Sequence, residues 1–136
     1  MDRELFDKAN AVRANAHAPY SKFRVGAALR TAAGTVFAGT NVENASYPEG
    51  WCAETSAIAQ MIAAAPAGLG RRIAAVGVVA ERIDGRFTTP CGGCRQRLAE
   101  FADPETPVHV SDPTGETRTF TMRELLPAAF ALEGSR

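Results

Sequence analysis

The positions of the cysteines constrain the fold of this chain more than any other sequence feature. Cys91 and Cys94 form a Cys-x-x-Cys pair directly after Pro90, and the only other thiol, Cys52, lies far upstream. Each motif opens a segment of helix-forming residues, CAETSAIAQMIAAA in the first case and CGGCRQRLAEFA in the second. If the three thiols act together, the fold must bring the starts of two helices to one point.

The composition predicts one soluble domain over residues 1–136. A chain of this length with 46% hydrophobic residues can bury a core without disulfides. Its formal net charge is +0 and it contains no basic run, so we expect no nucleic-acid partner. The N-terminus MDRELFDKAN does not resemble a signal peptide, and no apolar run reaches membrane-spanning length. We therefore expect no membrane association and a cytoplasmic location.

The spacing of apolar residues predicts alternating helices and strands. A first helix is predicted within residues 2–16, followed by a hairpin of FRVGAALRTA and TVFAGTNVE. A helix then begins at or near Cys52, RIAAVGVVAE is typical of a buried strand, and the third helix begins at the Cys-x-x-Cys pair. The segments PVHVSD and ETRTFT predict two short strands, and MRELLPAAF a short final helix. The order αββαβαββ plus a helix indicates a layered α/β domain with a mixed sheet.

The three thiols are suited to hold a zinc ion. A helix N-terminus favours thiolate over thiol, and residues at i and i+3 such as Cys91 and Cys94 share one helix face. Cys52 would reach the same ion from the other helix. Three protein ligands leave the fourth tetrahedral position open, as in catalytic zinc sites. Glu54, two residues after Cys52, is suited to move protons at that position.

The same residues also permit simpler interpretations. A Cys-x-x-Cys pair alone is equally compatible with a redox pair or with buried thiols, and Glu54 alone is typical of a solvated first-turn glutamate. His17 and His109 lack ligand spacing to the cysteines, so we interpret both as structural or exposed. A non-catalytic zinc-binding or redox protein is therefore the alternative from another functional class.

The motifs CAE and PCGGCRQ resemble those of the zinc-dependent cytidine deaminases. YSKFRVGAAL, GTNVENASYPEG and ELLPAAF resemble, in the same order, segments of the small homotetrameric enzymes that act on nucleosides. The resemblance implies a three-layer α/β/α fold with a mixed five-stranded sheet, one zinc ion per chain and a homotetramer. It implies hydrolytic deamination of cytidine and 2′-deoxycytidine in pyrimidine salvage, by a zinc-bound hydroxide and a glutamate proton shuttle. A related blasticidin-type deaminase is an alternative, against which NVENASY argues.

The resemblance also implies a role for each matching site residue. Cys52, Cys91 and Cys94 would be the zinc ligands, and Glu54 the catalytic proton shuttle. Six residues would contact the substrate: Phe23, Asn41, Glu43, Tyr47, Ala53 and Phe130. Asn41 and Glu43, which point to one side of a predicted strand, would grip the ribose hydroxyls. Tyr47 and Phe130 would reach the site across subunit contacts.

Thr55 departs from the family pattern, which often has arginine directly after CAE. Three thiolates on a zinc dication leave a net negative site, so we expect another group to balance the charge. Arg95, adjacent to Cys94, is the side-chain candidate, and the two helix N-termini are the other.

Overall fold

The computed structural model describes residues 1–134, which form α-helices and strands in the predicted order. The elements are α1 (Arg3–Arg13), β1 (Val25–Thr31), β2 (Val36–Thr40), α2 (Ala53–Ala64), β3 (Ile73–Ala80), α3 (Gly92–Ala99), β4 (Pro107–Ser111), β5 (Thr117–Thr121) and α4 (Met122–Leu125). The strands form one five-stranded sheet of order β2-β1-β3-β4-β5, in which β3 and β4 are parallel and the other neighbours antiparallel. The predicted mixed α/β architecture is confirmed.

The register of the sheet brings the starts of α2 and α3 to the same edge. Val25 at the start of β1 pairs with Ala80 at the end of β3, and the neighbouring Gly26 pairs with Thr40 at the end of β2. The chain therefore leaves β2 and β3 on the same side of the sheet. Because α2 follows β2 and α3 follows β3, both helices begin near that edge.

The central strands are buried on both faces, as their continuous apolar sequences predict. Ala27 and Leu29 of β1 join the larger core beneath α2 and α3, whereas the intervening Ala28 packs with Leu5 and Ala9 of α1. Helices thus cover both faces of the sheet and give the three layers. Within residues 1–134, no helix has the length and apolarity needed to cross a membrane.

Two glycines allow the helices to pack directly on the sheet backbone. A Cβ atom at Gly26 would lie 1.9 Å from the carbonyl oxygen of Ala9 in α1. A Cβ atom at Gly39 would lie 2.4 Å from the amide nitrogen of Ala57 in α2. Gly39 therefore fixes the distance between β2 and the helix that begins after Cys52.

The end of β2 differs from its prediction. The strand ends one residue before Asn41, because Val42 leaves the ladder and forms isolated bridges with His17 and Trp51. The prediction that Asn41 and Glu43 lie on a regular strand is wrong in this respect. Their backbone is nevertheless held by hydrogen bonds, since the amide of His17 donates to Asn41 and the amide of Glu43 donates to His17.

We expect Gly39→Ala to lower the free energy of unfolding by about 1–3 kcal/mol, because the new methyl group meets the backbone of α2 and the layers must separate. Gly92→Ala is the matched control, since a Cβ atom at Gly92 meets nothing within 4 Å. Thermal and urea unfolding of the two variants measure the difference. Equal stability of both variants would contradict the proposed packing constraint.

Candidate active site

The three cysteine sulfurs converge at the starts of α2 and α3, and we call this group the thiol cluster. Cys52 is the N-cap of α2, Cys91 is the N-cap of α3, and Cys94 lies in the first turn of α3. All three Sγ atoms lie within 4.8 Å of one another, and those of Cys52 and Cys91 are 3.6 Å apart. A tetrahedral zinc ion with thiolate bonds near 2.3 Å requires sulfur separations of about 3.8 Å. The thiol cluster therefore fits a zinc ion.

The electrostatics of the thiol cluster also favour the binding of a cation. Hydrogen bonding from Cys52 lowers the pKa of Cys94 to about 5, although burial acts in the opposite direction. The same hydrogen bond, together with burial, raises the pKa of Cys52 well above its usual range. The interaction between the two sulfurs therefore favours the thiolate form at Cys94 and the protonated form at Cys52. A metal ion would displace that proton, because thiolate sulfur is the ligand form.

Two side chains donate towards the buried sulfur of Cys94. The hydroxyl of Thr55 lies 3.6 Å from Sγ, and Nη1 of Arg97 lies 3.9 Å from it. Thr55, which the sequence marks as a departure from the family, therefore contacts the thiol cluster through its hydroxyl group. Arg97 was missed, although its i+3 spacing from Cys94 predicts that the two side chains share a helix face.

Arg95, one of the two candidates for balancing the thiolates, forms its hydrogen bonds with groups outside the thiol cluster. Its guanidinium donates to the carbonyl oxygens of Pro90 and Leu125, at 2.7 and 2.8 Å, and to the hydroxyl of Thr89 at 3.0 Å. The physical reason is helix geometry, because residues at i and i+1 do not face each other. Arg95 therefore points away from Cys94 and joins the segment before α3 to the end of α4.

Glu54 is the buried carboxyl group beside the thiol cluster. It lies in the first turn of α2 and only 4% of it is exposed. Burial, and to a smaller degree the charge of Cys94, raises the pKa of Glu54 to about 7. A carboxyl group with this pKa can both accept and release a proton near neutral pH. A cation in the thiol cluster would lower the pKa, because an opposite charge favours the carboxylate.

A cavity of about 600 Å³ opens next to Glu54. Its lining includes most of the predicted site residues: Phe23, Asn41, Glu43, Tyr47, Cys52, Ala53, Glu54 and Cys91. Phe130 instead lies on the C-terminal segment, where its side chain is 67% exposed and its carbonyl oxygen accepts from Gln96 at 3.2 Å. One chain therefore brings together at this cavity the predicted substrate-binding residues except Phe130.

Asn41 and Glu43 hold the loop that forms one wall of the cavity. The side-chain amide nitrogen Nδ2 of Asn41 donates to the carbonyl oxygen of Phe23 at 2.8 Å. Glu43 accepts from the backbone amides of Tyr20 and Ser21, at 3.0 and 3.1 Å, and from the hydroxyl of Ser21. The Ser21 hydroxyl is the main cause that lowers the pKa of Glu43, so this carboxyl group is charged. Sequence reasoning missed this anchoring role, since the partners lie more than twenty residues away.

Trp51 contributes a further aromatic surface to the cavity. Its indole nitrogen donates to the hydroxyl of Ser56 at 2.8 Å, and this hydroxyl donates to the carbonyl oxygen of Thr40 at 2.7 Å. Nearby, the rings of Tyr20 and Tyr47 meet edge to face with centroids 5.9 Å apart. The position of Trp51 directly before Cys52 is the one sequence signal for its place at the site.

The sequence and the fold are similar to known proteins over nearly their whole length. The model of the family described as "Cytidine and deoxycytidylate deaminase zinc-binding region" matches residues 1–110. The cytidine deaminase of Halalkalibacterium halodurans is 42% identical over 135 residues, which cover 98% of this chain and 97% of that protein. The crystal structure of cytidine deaminase from Burkholderia pseudomallei superposes with a TM-score of 0.85 at 42% identity, covering 96% of this chain and 100% of that chain. That of the Mycobacterium tuberculosis enzyme gives 0.76 at 36% identity, covering 95% and 96%.

We expect the purified protein to contain about one zinc ion per chain and Cys91→Ala to lose most of it, because two remaining thiolates bind zinc more weakly than three. Elemental analysis after gel filtration measures the ratio. Far-ultraviolet circular dichroism of the variant checks that the fold persists. Full zinc content in Cys91→Ala would contradict the assignment of the thiol cluster as the metal centre.

Proposed function

Because this chain belongs to the zinc-binding cytidine and deoxycytidylate deaminase family, we propose that it deaminates cytidine and 2′-deoxycytidine hydrolytically in pyrimidine salvage. The products are uridine or 2′-deoxyuridine and ammonia. The observation that carries the proposal is the pairing of a buried carboxyl group, Glu54, with three converging thiols beside a cavity of about 600 Å³. Such a pair supplies both a metal site and a proton carrier.

In the proposed mechanism Glu54 moves the protons. Cys52, Cys91 and Cys94 would hold one zinc ion, which when bound supplies a Lewis acid that makes a water molecule more acidic. Glu54 accepts a proton from the water that attacks carbon 4 of the base. The same carboxyl group delivers this proton to ring nitrogen 3. It then takes the second proton from the hydroxyl group now on carbon 4 and passes it to the amino group, which leaves as ammonia. The burial of Glu54 supports this role, because burial raises the pKa of the carboxyl group and so opposes the lowering that a bound cation causes.

The cavity walls supply the proposed contacts with the nucleoside. The backbone amide of Ala53, in the first turn of α2, has no helical acceptor and can donate to the carbonyl oxygen of the base. Phe23 would pack against the nucleoside, and Asn41 and Glu43 would bind the ribose hydroxyls. The carbonyl group before Pro90 would face the departing ammonia, in a segment that Arg95 fixes through its hydrogen bonds.

We further propose a homotetramer in which neighbouring subunits complete each cavity. Tyr47 and Phe130 are large aromatic side chains that are 74% and 67% exposed in one chain. Tyr47 lines the cavity and Phe130 lies apart from it on the C-terminal segment. Exposed aromatic side chains favour burial against a partner, because their apolar area is costly in water. A cytoplasmic location is part of the same proposal, since the cytoplasm keeps thiols reduced and available as ligands.

Glu54→Gln should retain zinc and fold but lower kcat by roughly a hundredfold or more, because an amide cannot carry the proton. Loss of absorbance as cytidine becomes uridine measures turnover, and elemental analysis measures zinc in the same sample. Glu100→Gln is the matched control, since Glu100 is an exposed glutamate at the end of α3. Near-normal turnover in Glu54→Gln would refute the proton-carrier role.

Glu43→Gln should weaken the binding of uridine roughly tenfold or more, because a charged hydrogen bond to the sugar is lost. The binding of 1-methyluracil, which has the base without the ribose, should change little. Ser21→Ala separates the two roles of Glu43, since it removes a contact with the loop and leaves the carboxylate in place. If Ser21→Ala weakens uridine binding as much as Glu43→Gln, the carboxylate acts through the loop and the proposed sugar contact is wrong.

A further inference from the structure

The thiol cluster with a bound zinc ion carries one more negative than positive charge. Three thiolates contribute three negative charges against the two positive charges of the ion, and the site is partly shielded from water. The residue at position 55 contributes only a hydroxyl group, which lies 3.6 Å from the sulfur of Cys94. A neutral donor reduces the charge density on sulfur but does not cancel a charge. A cation close to the sulfurs would stabilise the occupied site.

Arg97 is the cation that α3 directs at the thiol cluster. Its Nη1 atom lies 3.9 Å from Sγ of Cys94, one helical turn earlier on the same face. In the described part of the chain, none of the ion pairs involves Arg97. Its charge also acts on the carboxyl group of Glu54, whose pKa it lowers without forming an ion pair. Arg95, by contrast, uses its guanidinium nitrogens on backbone carbonyl oxygens and the Thr89 hydroxyl.

Gly93 provides the space in which this guanidinium lies. A Cβ atom at Gly93 would be 3.2 Å from Nη1 of Arg97, which is closer than most such contacts, and 3.7 Å from Cζ, which is an ordinary contact distance. The arginine side chain therefore folds back along α3 towards the helix N-terminus, the direction that helical side chains favour. The absence of a side chain at Gly93 thus leaves room for the guanidinium in the position from which it reaches the sulfur of Cys94.

We propose that Arg97 is a positioning residue of the metal centre, which balances the excess negative charge of the zinc-loaded thiol cluster through Cys94 and so strengthens zinc binding. The inference rests on the proposed zinc site. Arg97 would supply the positive charge near the sulfurs that Thr55, a neutral residue, cannot supply. Arg97 acts on the sulfur ligand and has no contact with the substrate in this role.

The test compares zinc affinities of the folded protein by competition with a chromogenic chelator. Arg97→Gln should lower the affinity roughly tenfold, as is usual when a partner of a metal ligand is removed. Arg97→Lys, which keeps the charge, should recover part of the loss. Gly93→Ala, which displaces the guanidinium without removing it, should also lower the affinity. Arg3→Gln is the charge-matched control, because Arg3 forms an exposed ion pair with Asp7 on α1.

Replacing zinc with cobalt gives a spectroscopic signal from the metal–sulfur bonds. This signal should not change if Arg97 only stabilises the fold. The charge-transfer band between thiolate and cobalt should shift in Arg97→Gln and stay unchanged in Arg3→Gln, because only Arg97 polarises a ligand sulfur. Zinc affinity within twofold of the unaltered protein, with an unshifted cobalt band, would overturn the proposal for Arg97 and leave the zinc site intact. Absence of zinc binding in the unaltered protein would overturn the proposed function together with this inference.

Discussion

Repulsion between like charges is the constraint on which the rest of the structure depends. Three sulfur atoms held within 4.8 Å of one another cannot all be thiolates without compensation. The fold supplies part of that compensation with the positive ends of two helices, because Cys52 begins α2 and Cys91 begins α3. This arrangement requires both helices to start at one edge of the sheet. The register of β1 with both of its neighbours meets the requirement, since it aligns the ends of β2 and β3.

The two halves of the site are held by different means. The thiol cluster lies at the first turns of α2 and α3, which pack on the sheet, so regular secondary structure determines its geometry. The wall opposite is a loop, and side chains fix it to the chain beyond β2. Asn41 binds the carbonyl oxygen of Phe23, and Glu43 binds the amides of Tyr20 and Ser21. A substitution in this wall therefore changes both the local structure and any contact with a ligand.

The sequence predicted the parts of the structure that depend on periodicity and local motifs. The order of elements, the buried central strands and the helix starts at Cys52 and Cys91 follow from apolar spacing and helix signals. The position of Arg97 could also have been predicted, because i+3 spacing places it with Cys94, whereas adjacency suggested Arg95. The anchoring of Glu43 could not be predicted, because it depends on a loop whose path is set by tertiary structure.

Cysteine at the N-cap positions of α2 and α3 stabilises these helices less than a usual capping residue would, but it places sulfur ligands at the site. Serine, threonine or aspartate at an N-cap accepts a hydrogen bond from the first turn and stabilises a helix by about 1 kcal/mol. In the described part of the chain, neither Cys52 nor Cys91 forms such a side-chain bond, whereas Asp2 caps α1 by accepting from the amide of Leu5. The backbone amides in the first turns of α2 and α3 therefore remain available to interact with the cysteine sulfurs or with a bound ligand. Within residues 1–134, the other two α-helices are capped by side-chain oxygens, of Asp2 at α1 and of Thr121 at α4, whereas the two helices that form the site lack a side-chain cap.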